Sequence, residues 1–167
     1  HRLAPDMLFW LGESHRHSGK GNRAVACYQQ VRQQWPDCQW ADDSLRAEIL
    51  LAADDGRYAD ATALAQTFAS QYPDSPQADQ VRQILARSLL KQEQYAQAAR
   101  LLEPLVQRVP ELPSGSNANA RAPVISADSS IALRTNWYYL GLAYLGQNEF
   151  AQALAALVRV RPLADEE

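Results

Sequence analysis

One fixed spacing constrains this chain more than any local motif. Pro36, Pro73 and Pro110 stand 37 residues apart, and Ala24, Ala61 and Ala98 keep the same step, as do Gly21, Tyr58 and Tyr95. A period in the range of about 20–50 residues marks stacked structural units, each burying its apolar face against its neighbours. Such stacks present extended binding surfaces, so the spacing bears on function as well as on fold.

Each period divides into two amphipathic stretches. In the third, Val81, Ile84, Leu85, Ala86 and Leu89 follow helical spacing and predict one apolar helix face. Gln92-Glu93-Gln94 is a polar turn, and Tyr95, Ala98, Leu101, Leu102, Leu105 and Val109 trace a second helix. Pro110 is expected to stop it, since proline lacks an amide proton and clashes with the preceding turn. Ser75-Pro76 reads as an N-cap followed by the first helical position. The second period repeats this plan over about 42–54 and 58–72, with Gly56 between the helices. In the first, Gly19 and Gly21 flank the turn between stretches 7–18 and 22–35.

A fourth unit follows a break. Phe150 lies 55 residues after Tyr95, one period plus 18. The additional residues fall in a stretch rich in Pro, Ser, Asn, Gly and Ala, expected to be a flexible insertion over 111–127. The fourth unit has Trp137-x2-Leu140-Gly141-x2-Tyr144, then Phe150 and Ala153. This pattern resembles the tetratricopeptide repeat. Leu11-Gly12, Gly19, Ala24, Tyr28 and Pro36 stand at corresponding places in the first unit. Gly56, Tyr58, Ala61 and Pro73 do so in the second, and Ala86, Tyr95, Ala98 and Pro110 in the third. The resemblance implies an all-α, right-handed α-solenoid of four antiparallel helix pairs in a single repeat domain, with repeats near 5–38, 39–75, 76–110 and 128–162. Small residues let paired helices approach, and Tyr28, Leu102 and Leu157 fill the groove to the next unit. Ile49 departs from the small-residue pattern, and in the same unit Phe68 and Ala65 exchange the usual large and small positions.

The resemblance also implies a non-catalytic protein–protein interaction scaffold. In such stacks the first helix of each pair lines the concave face, which suits a peptide or helix of a partner. The inward positions are then Asp6, Phe9, Glu13 and Arg16 in the first unit, and Asp43, Arg46 and Leu50 in the second. Gln80, Gln83 and Arg87 follow in the third, and Tyr138 and Leu142 in the fourth. Glu13, Leu50 and Arg87 stand where chaperone-tail clamps of this family carry asparagines, so affinity for acidic chaperone tails is not expected. Phe68-x3-Tyr72-Pro73-x-Ser75 is similar to the repeat joints of bacterial envelope-assembly proteins. The alternative role is therefore a regulatory or docking segment of a larger enzyme or of an envelope-assembly protein.

Other classes find little support. Net charge is −3, with charges spread along the chain, so the basic footprint of a nucleic-acid binder is missing. No apolar run reaches the roughly 20 residues of a membrane helix. Neither a nucleophile motif nor a phosphate-cradling glycine loop is present. Asp42-Asp43 and Asp54-Asp55 read as helix-end carboxylates. Glu13 and His17 share a helix face, but two ligands fall short of a zinc site, and no metal or other cofactor is expected. Cys27 and Cys38 read as free thiols, which favours a reducing compartment, although the joint motif leaves bacterial cytoplasm and periplasm both open. The chain begins at His1 and has Met7 as its one methionine, so it is expected to be a segment or a processed form. Leu154, Leu157 and Val158 on the last helix, with only 162–167 beyond, predict an exposed apolar patch or an intermolecular contact.

Overall fold

The computed structural model describes residues 4–107 and 127–160, without the side chains of 127–130. It contains eight helices among these residues and no strand. They form two compact units. The first holds α1 (Pro5–His17), α2 (Gly21–Gln34), α3 (Ala41–Asp54), α4 (Tyr58–Gln71) and α5 (Ala78–Lys91). The second holds α6 (Tyr95–Gln107), α7 (Ala127–Gly146) and α8 (Phe150–Val158). The expected insertion, Pro110 and Pro162–Glu167 lie outside the described residues, α7 beginning at Ala127.

Four turns between successive helices adopt one conformation at one repeat position. Gly19, Gly56, Glu93 and Asn148 all have positive φ, between 60° and 76°. Glycine is at ease there, whereas an L side chain meets steric opposition. In three of the turns the following amide closes back across six residues. Lys20 N–H reaches the His15 carbonyl at 2.9 Å, Arg57 reaches Ala52 at 2.8 Å, and Glu149 reaches Tyr144 at 2.9 Å. These bonds satisfy carbonyls that the helix end leaves unpaired. Asp6, Asp42, Asp43, Asp60 and Asp79 occupy first turns, where the helix dipole favours negative charge.

In the first unit the periodic small residues sit at helix crossings. Ala24, Ala61 and Ala86 are fully buried, and a Cβ added to Gly12 would lie 2.6 Å from the Tyr28 ring. Tyr28, Leu45, Ile49 and Phe68 are fully buried in its core clusters. The departures noted in the second repeat are accommodated, since Ile49, Ala65 and Phe68 are all buried in one cluster. Helix α5 begins two residues later than Ser75-Pro76 suggests. Ser75 Oγ accepts the Gln77 amide at 3.0 Å but donates to Asp42 Oδ2 at 2.6 Å. This bond from Ser75 to α3 holds 75–77 as a turn ahead of the helix.

In the second unit Ala98, Leu102, Leu140, Ala143 and Ala153 form the core, and Gly141 admits Leu157. Tyr144 Oη donates to Glu103 at 3.0 Å, and Arg159 stacks over Trp137 at 5.3 Å. Burial, and then the bond to Glu103, push the Tyr144 phenol up to about 12. Helix α6 continues through Pro104, whose ring faces solvent. Helix α7 has 20 residues and begins ten residues before the Trp137 signature. Phe150, Leu154 and Val158 form an exposed apolar stripe along α8, while Leu157 turns inward against Gly141.

Candidate functional site

The first helices of the first unit carry most of the expected contact residues, and α3 and α5 touch directly. On α1, Glu13 is the hub. Arg16 donates to it through Nη2 at 2.7 Å and Nε at 3.2 Å, and Tyr28 Oη donates at 2.5 Å from α2. Burial alone would raise the Glu13 carboxyl, but the hydrogen bonds from Arg16 and Tyr28 and the nearby positive charges outweigh it and hold it low. Glu13 is thus an occupied carboxylate rather than a free ligand. His17 Nε2 lies 3.9 Å from it, and His15 is half-buried. Among the described residues no group of three or more His, Cys, Asp or Glu side chains could hold a metal ion.

On α3, Asp43 and Arg46 are half-buried and meet at 3.4 Å. Burial raises the Asp43 carboxyl, Arg46 opposes this, and the charges of Asp42 and Glu13 add to it. Arg46 Nε is buried without a hydrogen-bond partner among the described residues. A guanidinium has five donors in a fixed fork, so this one retains binding capacity. On α5, Arg87 reaches back to Asp54 of α3 at 2.7 Å. Asp6 and Gln80 are exposed, and Leu50 and Gln83 are half-buried.

Phe9 occupies a different place from the one its spacing suggests. It is buried, its ring stacked on Trp40 at 4.9 Å and edge-on to Trp10 at 5.4 Å. Phe9 supports this aromatic cluster, while Trp10 carries its exposed surface. In the second unit Tyr138 is exposed beside Tyr139, 5.7 Å between ring centres, and Leu142 is half-buried. Cys27 and Cys38 are free thiols, and burial pushes the Cys27 thiol up.

Sequence reasoning passed over Glu48. Its carboxylate is 3% exposed, bound by Arg32 Nη1 at 2.8 Å and approached by Gln29 Nε2 at 3.4 Å, both from α2. Burial raises its carboxyl, opposed by the Arg32 charge and the hydrogen bonds. A signal was present in the repeat register, because the equivalent position is leucine in the other three units, at Leu11, Leu85 and Leu140.

Paired helices with a common turn geometry, small residues at crossings and large residues between units define an all-α helical-repeat protein. Family models described as tetratricopeptide repeat match residues 6–37 and 85–122. The chain thus carries tetratricopeptide repeats over these two stretches. Its fold is similar to that of a MamA RS-1 ArsTM double mutant, with a TM-score of 0.71 and 18% identity over 98% of this chain and 76% of that one. MamA 41-end from Desulfovibrio magneticus RS-1 gives a TM-score of 0.70 and 18% identity over 98% of this chain and 77% of that one. No curated protein matches it in sequence. Tetratricopeptide-repeat proteins are in general non-catalytic scaffolds for protein interaction. No described helix is long and apolar enough to cross a membrane.

Proposed function

We propose that this chain is a non-catalytic scaffold that holds a peptide or helix of a partner protein against the first helices of its repeats. The observation that carries the reading is Arg46. It pairs with Asp43 on α3, whose carboxyl also feels the charge of Glu13, and has a buried Nε donor left over. The Arg46 side chain is 22% exposed, so a partner's carbonyl or carboxylate can reach its guanidinium beside Asp43. The mixture of half-buried charges of both signs suits a polypeptide better than a polyanion. Asp6 and Gln83 extend the same reading along the first helices of the first unit, and Tyr138 and Leu142 carry it, separately, on α7 of the second. The exposed stripe of Phe150, Leu154 and Val158 is a second contact surface, on which the chain self-associates or receives a further helix.

Affinity capture with the intact protein tests this reading. Wild-type chain and an Arg46→Ala variant of matched helicity are compared by quantitative mass spectrometry. The scaffold reading expects one or a few partners to be retained by the wild type and depleted at least fivefold by the variant. An unchanged partner set would remove Arg46 and its neighbours from the binding face.

A further inference from the structure

A cavity of about 620 Å³ is lined by residues of α2, α3 and α4 of the first unit. Val25, Ala52 and Leu64 give it apolar walls, and Gln29, Arg57 and Asp60 are exposed at its mouth. The buried carboxylate of Glu48 also lines it. The charges around it are unequally satisfied. Arg57 is matched by Asp60 at 3.0 Å and Asp55 at 3.3 Å. Arg32 engages Glu48 Oε1, and among the described residues Oε2 has only the long contact from Gln29.

Packing gives no reason for a carboxylate at this position. The other three repeats place leucine there, buried at Leu140, half-buried at Leu85 and exposed at Leu11. A buried ion pair is often no more stabilising than well-packed apolar residues of similar volume. A carboxylate in place of that leucine, beside a cavity and with one oxygen under-used, has the form of a recognition group.

We infer that this cavity takes a basic side chain, arginine or lysine, of a partner polypeptide, with Glu48 Oε2 as the acceptor. The aliphatic stem packs against Val25, Ala52 and Leu64, and the charged head reaches Glu48 beside the Gln29 amide. Glu48 then bridges two cations, Arg32 through one oxygen and the guest through the other. The lining charges of Glu48 and Asp60, against that of Arg57, leave a net negative site that complements one positive charge. Small-residue walls at Ala52 and Ala63 keep the volume open.

Amide shifts of the isotopically labelled 167-residue chain test this, on titration with N-acetyl-arginine amide, N-acetyl-lysine amide and the uncharged N-acetyl-norleucine amide. The expected result is saturable shifts at Gln29, Ala52 and Ala63 with at least one basic probe, bound at least tenfold more tightly than norleucine. Whichever basic probe binds better identifies the side chain. Glu48→Gln should weaken basic-probe binding at least fivefold. Glu48→Leu, which installs the residue of the other units, should abolish the preference for charge while a thermal melt confirms folding. Absence of saturable shifts with both basic probes would overturn the inference. So would equal binding of norleucine, or a preference that survives Glu48→Leu.

Discussion

Removing Arg32 leaves the most exacting consequence in the first unit, because Glu48 then loses its charged partner while 97% of its surface stays out of water. Arg32→Met keeps much of the aliphatic stem and deletes the charge. Breaking a buried pair by removing one member costs about 3–5 kcal/mol. Arg32 is 21% exposed, so solvent already screens part of the interaction and the lower end, about 3 kcal/mol, is expected. For a domain of this size that loss lowers a urea midpoint by roughly 1.5 M. The loss depends on pH in a defined direction. Burial raises the Glu48 carboxyl above 4.5 in the folded state, and loss of Arg32, which opposes the rise, lifts it further. A raised folded-state carboxyl leaves stability intact below the unfolded value and removes it as pH climbs through the folded value. The Arg32→Met deficit should therefore be largest near neutrality and shrink as pH falls toward 4.5. Adding Glu48→Leu should bring the double variant within about 1 kcal/mol of wild type. Urea unfolding followed by circular dichroism at several pH values reads all of this. A deficit below about 0.5 kcal/mol at neutral pH, or one independent of pH, or strict additivity in the double variant, would refute the reasoning.

Other positions give independent checks. Glu93→Gly, which places glycine where the first two units have it, should stabilise the chain by about 0.5–1 kcal/mol in denaturant unfolding; a loss would contradict the shared turn geometry. Gly141→Ala would set a Cβ 2.6 Å from Leu157 Cγ and Cδ2, and should cost about 1–3 kcal/mol by the same assay. Phe150→Glu with Leu154→Glu should change stability by less than about 1 kcal/mol, because both side chains are exposed, yet eliminate any concentration-dependent association in sedimentation velocity. A wild-type chain that stays monomeric at high concentration would take that role away from α8.

The fold was legible where backbone physics repeats. The 37-residue step, the glycines at turns and the alanines at crossings each reflect a local requirement imposed again in every unit, so several positions testify to one geometry. Pairwise side-chain choices were less legible. Ser75 looked like a simple cap, but a carboxylate 33 residues earlier accepts its hydroxyl hydrogen bond, and the helix starts later. Phe9 has the spacing of a contact residue, and only the position of Trp40 after the intervening helix shows that its ring is covered. Leu157 and Val158 are neighbours in sequence but part company, because Gly141 receives one and nothing described receives the other. Glu48 was hidden because a charge within a helix reads as a solvated face, and its meaning emerges only against Leu11, Leu85 and Leu140 in register.

The central claim, that partners are held against the first helices, is tested most directly by site-specific photo-crosslinking in the intact protein. A photoreactive residue at Gln80 on α5, and in a second variant at Gln66 on α4, samples two exposed sites of the same unit on a first and a second helix. The account predicts that one partner crosslinks from Gln80 and that Arg46→Ala suppresses that product. Crosslinking from Gln66 alone, or a Gln80 product indifferent to Arg46, would contradict it.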